Sequence, residues 1–284
     1  MSQSFVSIVE ARAASAKTKL PVFEGTALKL QRMLAKPPAN NEPLEQLLAS
    51  DPVLASAVLR LANSSFFGGL GQARTIRESL LRLGMDQVMR LALVVSQQQS
   101  YRVTNRELQP VVNALWRHAL ATALGCEWLA RRLGAPHVPA EGFLAGMVHD
   151  IGKLLVIRVV DELRTARPDF RPQARLLDEL LSSLHTKHGA ALARQWNLPG
   201  AYVRVIEQHH APEPPQDEPL TALVRLVDQA VNALGFGLAA THEVQIAATH
   251  EAQQLGVGDL AVAELEIHVE DQMRAIEGAP QAPA

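Results

Sequence analysis

A single cysteine, Cys126, and a shortage of aromatic residues set the first limits. One thiol cannot close an intramolecular disulfide, which fits a reducing compartment. Aromatics make up 4% of the chain, so Leu, Ala and Val must supply the core, a bias that suits helices in aliphatic contact. Neither charge sign is in excess. The 27 basic and 29 acidic residues leave a formal net charge of −2, and no Lys/Arg run exceeds two residues. That excludes a global basic field for holding nucleic acid by its phosphates. No apolar run reaches the roughly 18 residues of a membrane span. Met1 to Leu20 carries Arg12, Lys17 and Lys19 but no continuous apolar stretch of the kind a secretory signal needs. The expected location is the cytoplasm, with no nucleic-acid and no membrane partner.

What is present is ordinary for a globular chain: 48% hydrophobic and 20% charged over 284 residues, enough to bury a core. Helical periodicity is pervasive and alternating strand patterns are scarce, so the fold class is all-α. Asp51-Pro52 reads as an N-cap followed by Pro at the first helical position, with Leu54, Val58 and Leu61 on one face. Thr75-Ile76-Arg77-Glu78 has the capping-box pattern, with Ile76, Leu80 and Leu83 running to Gly84. Val88, Leu91 and Val95 mark another helix. Longer patterns run from Leu108 to Leu133, from Pro139 through Phe143, Met147 and Ile151, from Leu176 to Trp196, from Pro219 to Leu234 and from Val257 to Ile276. The four prolines of His210–Pro219 require a loop. Gly68-Gly69-Leu70-Gly71 reads as a turn, because no strand precedes it as a phosphate-binding fingerprint would demand. Trp116 and Trp196 read as packing residues, and Arg131, Arg132 and Lys187 as solvated faces.

Of ten histidines, none precedes His118. Five of them and two aspartates sit in apolar helical settings: His118, His149, Asp150, His185, His209, His210 and Asp228. A carboxylate on a buried face needs a partner, since an unpaired buried charge is costly. A metal ion shared with histidines is one such partner, and imidazole with carboxylate suits Mn, Fe, Zn or Co. Helix-borne ligands converging in a bundle core can hold two ions. The alternative is a set of hydrogen-bonded structural histidines, the commoner role for any one of them alone. His188, three residues after His185, reads either as support for that residue or as an exposed ring. His137, His242, His250 and His268 have no evident partners.

The surrounding text resembles a known family. Ala145 to Lys153, with His149-Asp150 at its centre, is similar to the His-Asp motif of the HD superfamily. Leu20-Pro21-Val22-Phe23, Asp51-Pro52-Val53-Leu54, Leu61 to Gly68 and Ser79 to Gly84 resemble the first half of HDOD domains. Trp196-Asn197-Leu198-Pro199 followed by His209-His210 resembles the second. The resemblance implies a two-lobed helical fold: an N-terminal extension over 1–17, an HDOD domain over 18–237 split into lobes 18–105 and 106–237, and C-terminal helices with a Pro/Ala-rich tail over 238–284. It implies a bacterial signal-transduction regulator, non-catalytic or weakly catalytic. Signalling proteins would be met through the first lobe, with a small nucleotide ligand and a homodimer as further expectations.

Similarity to the related HD-GYP phosphodiesterases implies a ligand set. His118, His149, Asp150 and Asp228 would hold one ion. His185, His209 and His210 would hold the second, with Asp150 bridging and Lys153 facing a substrate phosphate. Lys153 and Asp150 would then carry catalysis in a metal-dependent phosphohydrolase. After His209-His210, however, comes Ala211-Pro212-Glu213-Pro214-Pro215 rather than a Gly-Tyr-Pro segment, which removes the argument for a cyclic-di-GMP substrate.

Overall fold

The structure, a computed structural model, describes residues 5–15, 29–30, 33, 38–63, 72–98, 101–134, 138–167, 170–213, 217–238 and 244–277. Leu20 to Phe23, Ser64 to Gly71, His137, His242 and the tail from Gly278 lie outside the described residues. Among the described residues the chain is helical without strands. It divides into two compact units, 20–102 and 1–19 with 103–284.

The 20–102 unit holds α2 (Glu42–Ala49), α3 (Pro52–Ala62), α4 (Ile76–Leu83) and α5 (Met85–Gln98). Its starts follow the sequence signals. Asp51 Oδ1 accepts from the Leu54 amide at 3.2 Å, and Thr75 Oγ1 accepts from the Glu78 amide at 3.1 Å. Glu78 reaches back to the Arg74 amide at 2.6 Å, one residue earlier than in the usual box. Gly84 ends α4 at φ 80°, a conformation open to glycine. Leu44, Leu48, Leu54, Val58, Leu80 and Leu93 form the core. Asn63 pairs with both the carbonyl and the amide of Ala73 at 2.8 and 2.7 Å.

The other unit holds α1 (Phe5–Ala13), α6 (Gln109–Arg132), α7 (Val138–Val148), α8 (Ile151–Ala166), α9 (Ala174–Gln195), α10 (Gly200–Gln208), α11 (Pro219–Ala233), a 3-10 turn (Ile246–Ala248), α12 (His250–Leu255) and α13 (Asp259–Glu277). α6 buries Val112, Leu115, Ala119, Thr122, Cys126 and Leu129, a helical stripe that packs against α7, α11 and α13. α8 is apolar nearly all round from Ile151 to Val160 and runs inside, against α9 and α1.

One expectation fails. The pattern through Phe143, Met147 and Ile151 does not form a single helix: α7 stops at Val148, and α8 begins at Ile151. His149 and Asp150 are the turn between them, with Asp150 at φ −102°, ψ 14°. The break needs no Gly or Pro. The His149 ring turns back onto the Gly146 carbonyl at 2.7 Å, and the Lys153 amide closes a tight turn onto the Asp150 carbonyl at 2.8 Å.

Three glycines set the helix spacing behind this turn. A Cβ at Gly152 would lie 1.9 Å from the His185 carbonyl oxygen. One at Gly189 would meet Ile206 at 2.9 Å and the Gly152 amide at 3.0 Å. One at Gly146 would lie 2.8 Å from Ala123 backbone atoms. α8 and α9 thus cross backbone to backbone at Gly152 and Gly189, and α7 crosses α6 at Gly146.

Candidate metal centre

Five elements deliver the seven sequence-selected residues to one place. α6 brings His118. The α7–α8 turn brings His149 and Asp150. α9 brings His185, the end of α10 brings His209 and His210, and α11 brings Asp228. Six of the seven are buried, and His210 is exposed. Their ligand atoms form two groups, each within 4.8 Å: His118, His149 and Asp228; and Asp150, His185, His209 and His210.

Asp150 stands between the groups. Its Oδ2 lies 3.5 Å from both His118 Nε2 and His149 Nε2. Its Oδ1 lies 3.5 Å from His185 Nε2 and 3.3 Å from His209 Nε2. Within the groups, His118 Nε2 is 3.2 Å from His149 Nε2, and His185 Nε2 is 3.3 Å from His209 Nε2.

Backbone carbonyls orient the rings. His149 Nδ1 faces the Gly146 carbonyl at 2.7 Å, and His185 Nδ1 faces Ser182 at 3.0 Å. His209 Nδ1 faces Val205 at 3.1 Å and Ile206 at 3.0 Å. A neutral ring that donates from Nδ1 carries a lone pair on Nε2. Three lone pairs therefore aim inward, toward one another and toward a carboxylate. Burial depresses the His149 ring to about 3 against the pull of Asp150 and Asp228, and depresses His185 to about 4. These rings are neutral near pH 7. Burial opposes ionisation of Asp150, but the Lys153 ammonium, 2.6 Å from Oδ2, overcomes it and holds the carboxyl well below its usual range. Asp228 is likewise held low despite burial. His118 Nε2 lies 3.0 Å from its Oδ1, and Asn232 donates to the same oxygen at 2.9 Å.

The donor set fits a divalent cation. Asp150 Oδ1 is buried without a hydrogen-bond donor, and the Nε2 atoms beside it point lone pairs at it. Such convergence of acceptors is unfavourable unless a positive charge sits among them. Cys126 is buried and belongs to neither group.

His188 is buried on α9, with Nε2 unpartnered. That settles its exposure against the surface alternative. His268 gains a partner, stacking on Trp128 at 5.6 Å, while His250 is exposed at the start of α12. Trp116 and Trp196 are half-buried, and Arg131, Arg132 and Lys187 are exposed. One structural group escaped sequence reasoning: Arg225, an arginine inside an apolar helix whose partners lie 14 or more residues away.

No helix among the described residues is long and apolar enough to cross a membrane. A family model described as the HDOD domain matches residues 20–212. An uncharacterized protein of Treponema pallidum (strain Nichols) is 25% identical over 222 residues, covering 76% of this chain and 42% of the relative. The chain thus spans about two fifths of the length of the curated relative it matches. Among solved structures, an HDOD domain protein of unknown function from Geobacter sulfurreducens superposes with a TM-score of 0.74 at 20% identity, covering 96% of this chain and 97% of that one. A protein of Shewanella amazonensis SB2B, named as a candidate metal-dependent phosphohydrolase, gives 0.70 at 19% identity, covering 94% and 97%. A candidate signal transduction protein of Marinobacter aquaeolei VT8 gives 0.65 at 22% identity, covering 98% of this chain and 61% of that one. These likenesses establish the shared helical fold.

Proposed function

The chain belongs to the HDOD domain family, and from that premise we propose that it is a regulatory protein of bacterial cytoplasmic signal transduction whose helical core is organised by a dinuclear metal centre. The observation that supports the metal most directly is Asp150. Its two oxygens face two sets of imidazole nitrogens, and Oδ1 has no hydrogen-bond donor. His118, His149 and Asp228 would hold one ion, and His185, His209 and His210 the other, with Asp150 shared. Imidazole and carboxylate suit Mn, Fe, Zn or Co. When bound, such ions polarise a phosphoryl oxygen and lower the pKa of water.

The residues have separable tasks. The Gly146, Ser182, Val205 and Ile206 carbonyls fix ring tautomers. Lys153 keeps Asp150 ionised. The regulatory reading rests on the family and on the first lobe, where partner proteins would dock, with a small nucleotide as a further ligand. Elemental analysis of protein purified without chelator tests the centre, with the His149→Ala/Asp150→Ala variant as control. We expect about two d-block ions per chain, lost in the variant. No metal in the wild type, even after reconstitution with Mn or Fe, would sink the reading.

A second reading, a metal-dependent phosphohydrolase acting on a nucleotide or phosphodiester, is favoured by one feature. His210 is exposed, and Lys153 keeps 17% of its side chain accessible beside Asp150, so a phosphate has a cationic group to meet. Lys153 would bind that phosphate and stabilise charge developing on it. Hydrolysis of bis(p-nitrophenyl) phosphate that survives intact in His185→Ala would rule out this mechanism.

A further inference from the structure

α10 ends at Gln208, with His209 at its C-cap, so the last carbonyls of the helix have no intrahelical donor. Arg225 supplies one. Its Nη1 lies 3.0, 3.1 and 2.9 Å from the carbonyl oxygens of Gln208, His209 and Ala211. Its Nε donates to Glu251 Oε1 at 2.6 Å. Arg225 stands on α11, three residues before Asp228, and Glu251 stands on α12. Both side chains are nearly buried, at 11% and 5% exposure. Both lie beyond the span of the family match, which stops at residue 212.

The three carbonyls bracket the segment that carries His209 and His210. A cation is favourable at a helix C-terminus, and this one reinforces the turn in which the Ala211 amide donates to the Gln208 carbonyl at 2.9 Å. The His209 ring is fixed by the carbonyls of Val205 and Ile206, while its backbone is fixed by Arg225. Together they place His209 Nε2 3.3 Å from Asp150 Oδ1. Glu251 balances the buried guanidinium and orients its fork, a role that a flexible ammonium does not reproduce.

We infer that Arg225, aimed by Glu251, is a positioning residue for the His185, His209 and His210 half of the centre, and that α12 is therefore part of the scaffold of the site. The inference rests on the metal reading above. Its test is a Mn2+ titration of the full chain, following free Mn2+ by electron paramagnetic resonance, with circular dichroism to establish folding. The wild type should bind two ions. Arg225→Lys should weaken one of them by about 10–100-fold, the loss that outer-shell partners typically carry, and leave the other unchanged. Glu251→Gln should weaken the same ion by about tenfold. Combined with His210→Ala, Arg225→Lys should add nothing; combined with His118→Ala, its effect should persist in full. A merely structural pair would weaken both ions alike.

If Arg225→Lys fails to fold, Glu251→Gln carries the same comparison. Two wild-type ions with both folded variants unchanged, or both ions weakened equally, would overturn the positioning role alone. No Mn2+ bound by the wild type would overturn the metal reading itself, and this inference with it.

Discussion

His118 and Asp228 stand in the interiors of α6 and α11, while His209 and His210 stand where α10 ends and the chain turns toward a loop. The first half of the cluster is buried, with His149 fully enclosed. The second half ends in the exposed His210. The first half is held mainly by packing, since α6, α7 and α11 bury aliphatic faces on either side of it, with the Gly146 carbonyl orienting His149 and Asn232 donating to Asp228. The second half depends on point devices: the Gly152–Gly189 crossing, the carbonyls that orient His185 and His209, and Arg225. A closed ligand set beside an open one is the arrangement expected where one position must admit an outside group.

The largest expected effect breaks the second half outright. Gly152→Ala places a methyl 1.9 Å from the His185 carbonyl oxygen, a backbone atom that cannot rotate away. Overpacking of this kind costs about 1–3 kcal/mol when side chains can yield, and more where they cannot. We expect α8 and α9 to separate, with the thermal midpoint falling by more than about 4 °C. An unchanged midpoint by calorimetry would mean that the crossing is not tight.

Acid should act next, and on both halves together. In the unfolded chain histidine protonates near about 6.5. In the folded chain burial holds His149 down to about 3 and His185 to about 4. Between those limits the unfolded state binds more protons, so stability falls as pH falls. The depressed carboxyls of Asp150 and Asp228 act in the same direction lower down. The urea midpoint of chelator-treated protein should therefore drop from pH 7.5 to pH 5. A flat midpoint over that range would show that the rings protonate freely in the fold.

Much of the arrangement was legible because the residues that carry it are rare in their settings. Imidazoles and carboxylates inside aliphatic helices have few reasons to be there, and all seven converge. Helix starts at Asp51 and Thr75 were legible for the same reason, a polar side chain with one local task. The His149–Asp150 break was not, because apolar spacing continues through it while the turn is made by ring-to-carbonyl and backbone bonds. α8 is hard to read as a separate helix because the apolar spacing of α7 runs on into its nearly all-apolar first turns, Ile151 to Val160. Arg225 was invisible because its carbonyl partners and Glu251 are brought to it only by the tertiary fold.

Comparing single ligands sharpens the contrast between halves. His149→Ala removes a fully buried ring from the closed set, and His210→Ala removes the exposed one from the open set. Each should weaken its own ion by more than the roughly 100-fold of an outer-shell loss, read by Mn2+ titration. Thermal stability of the chelator-treated protein should separate them, with His210→Ala nearer wild type because that residue is exposed while His149 is fully buried. Equal destabilisation by both would erase the distinction between a packed half and a pinned half.

The smallest effect probes the packed half from behind. Asn232, one helical turn after Asp228, donates to Asp228 Oδ1 at 2.9 Å, the oxygen that also faces His118 Nε2 at 3.0 Å. Asn232→Ala leaves that carboxylate with one donor fewer but keeps it on a rigid helix interior. A hydrogen bond to a charged group contributes about 1.5–3 kcal/mol when buried, less here because Asn232 is only half-buried. The ion held by His118, His149 and Asp228 should bind about tenfold more weakly, while the other ion is untouched. A larger loss, or one that spreads to the second ion, would mean that the Asp228 side is pinned by hydrogen bonds as the His209 side is, and that helix packing does not set it.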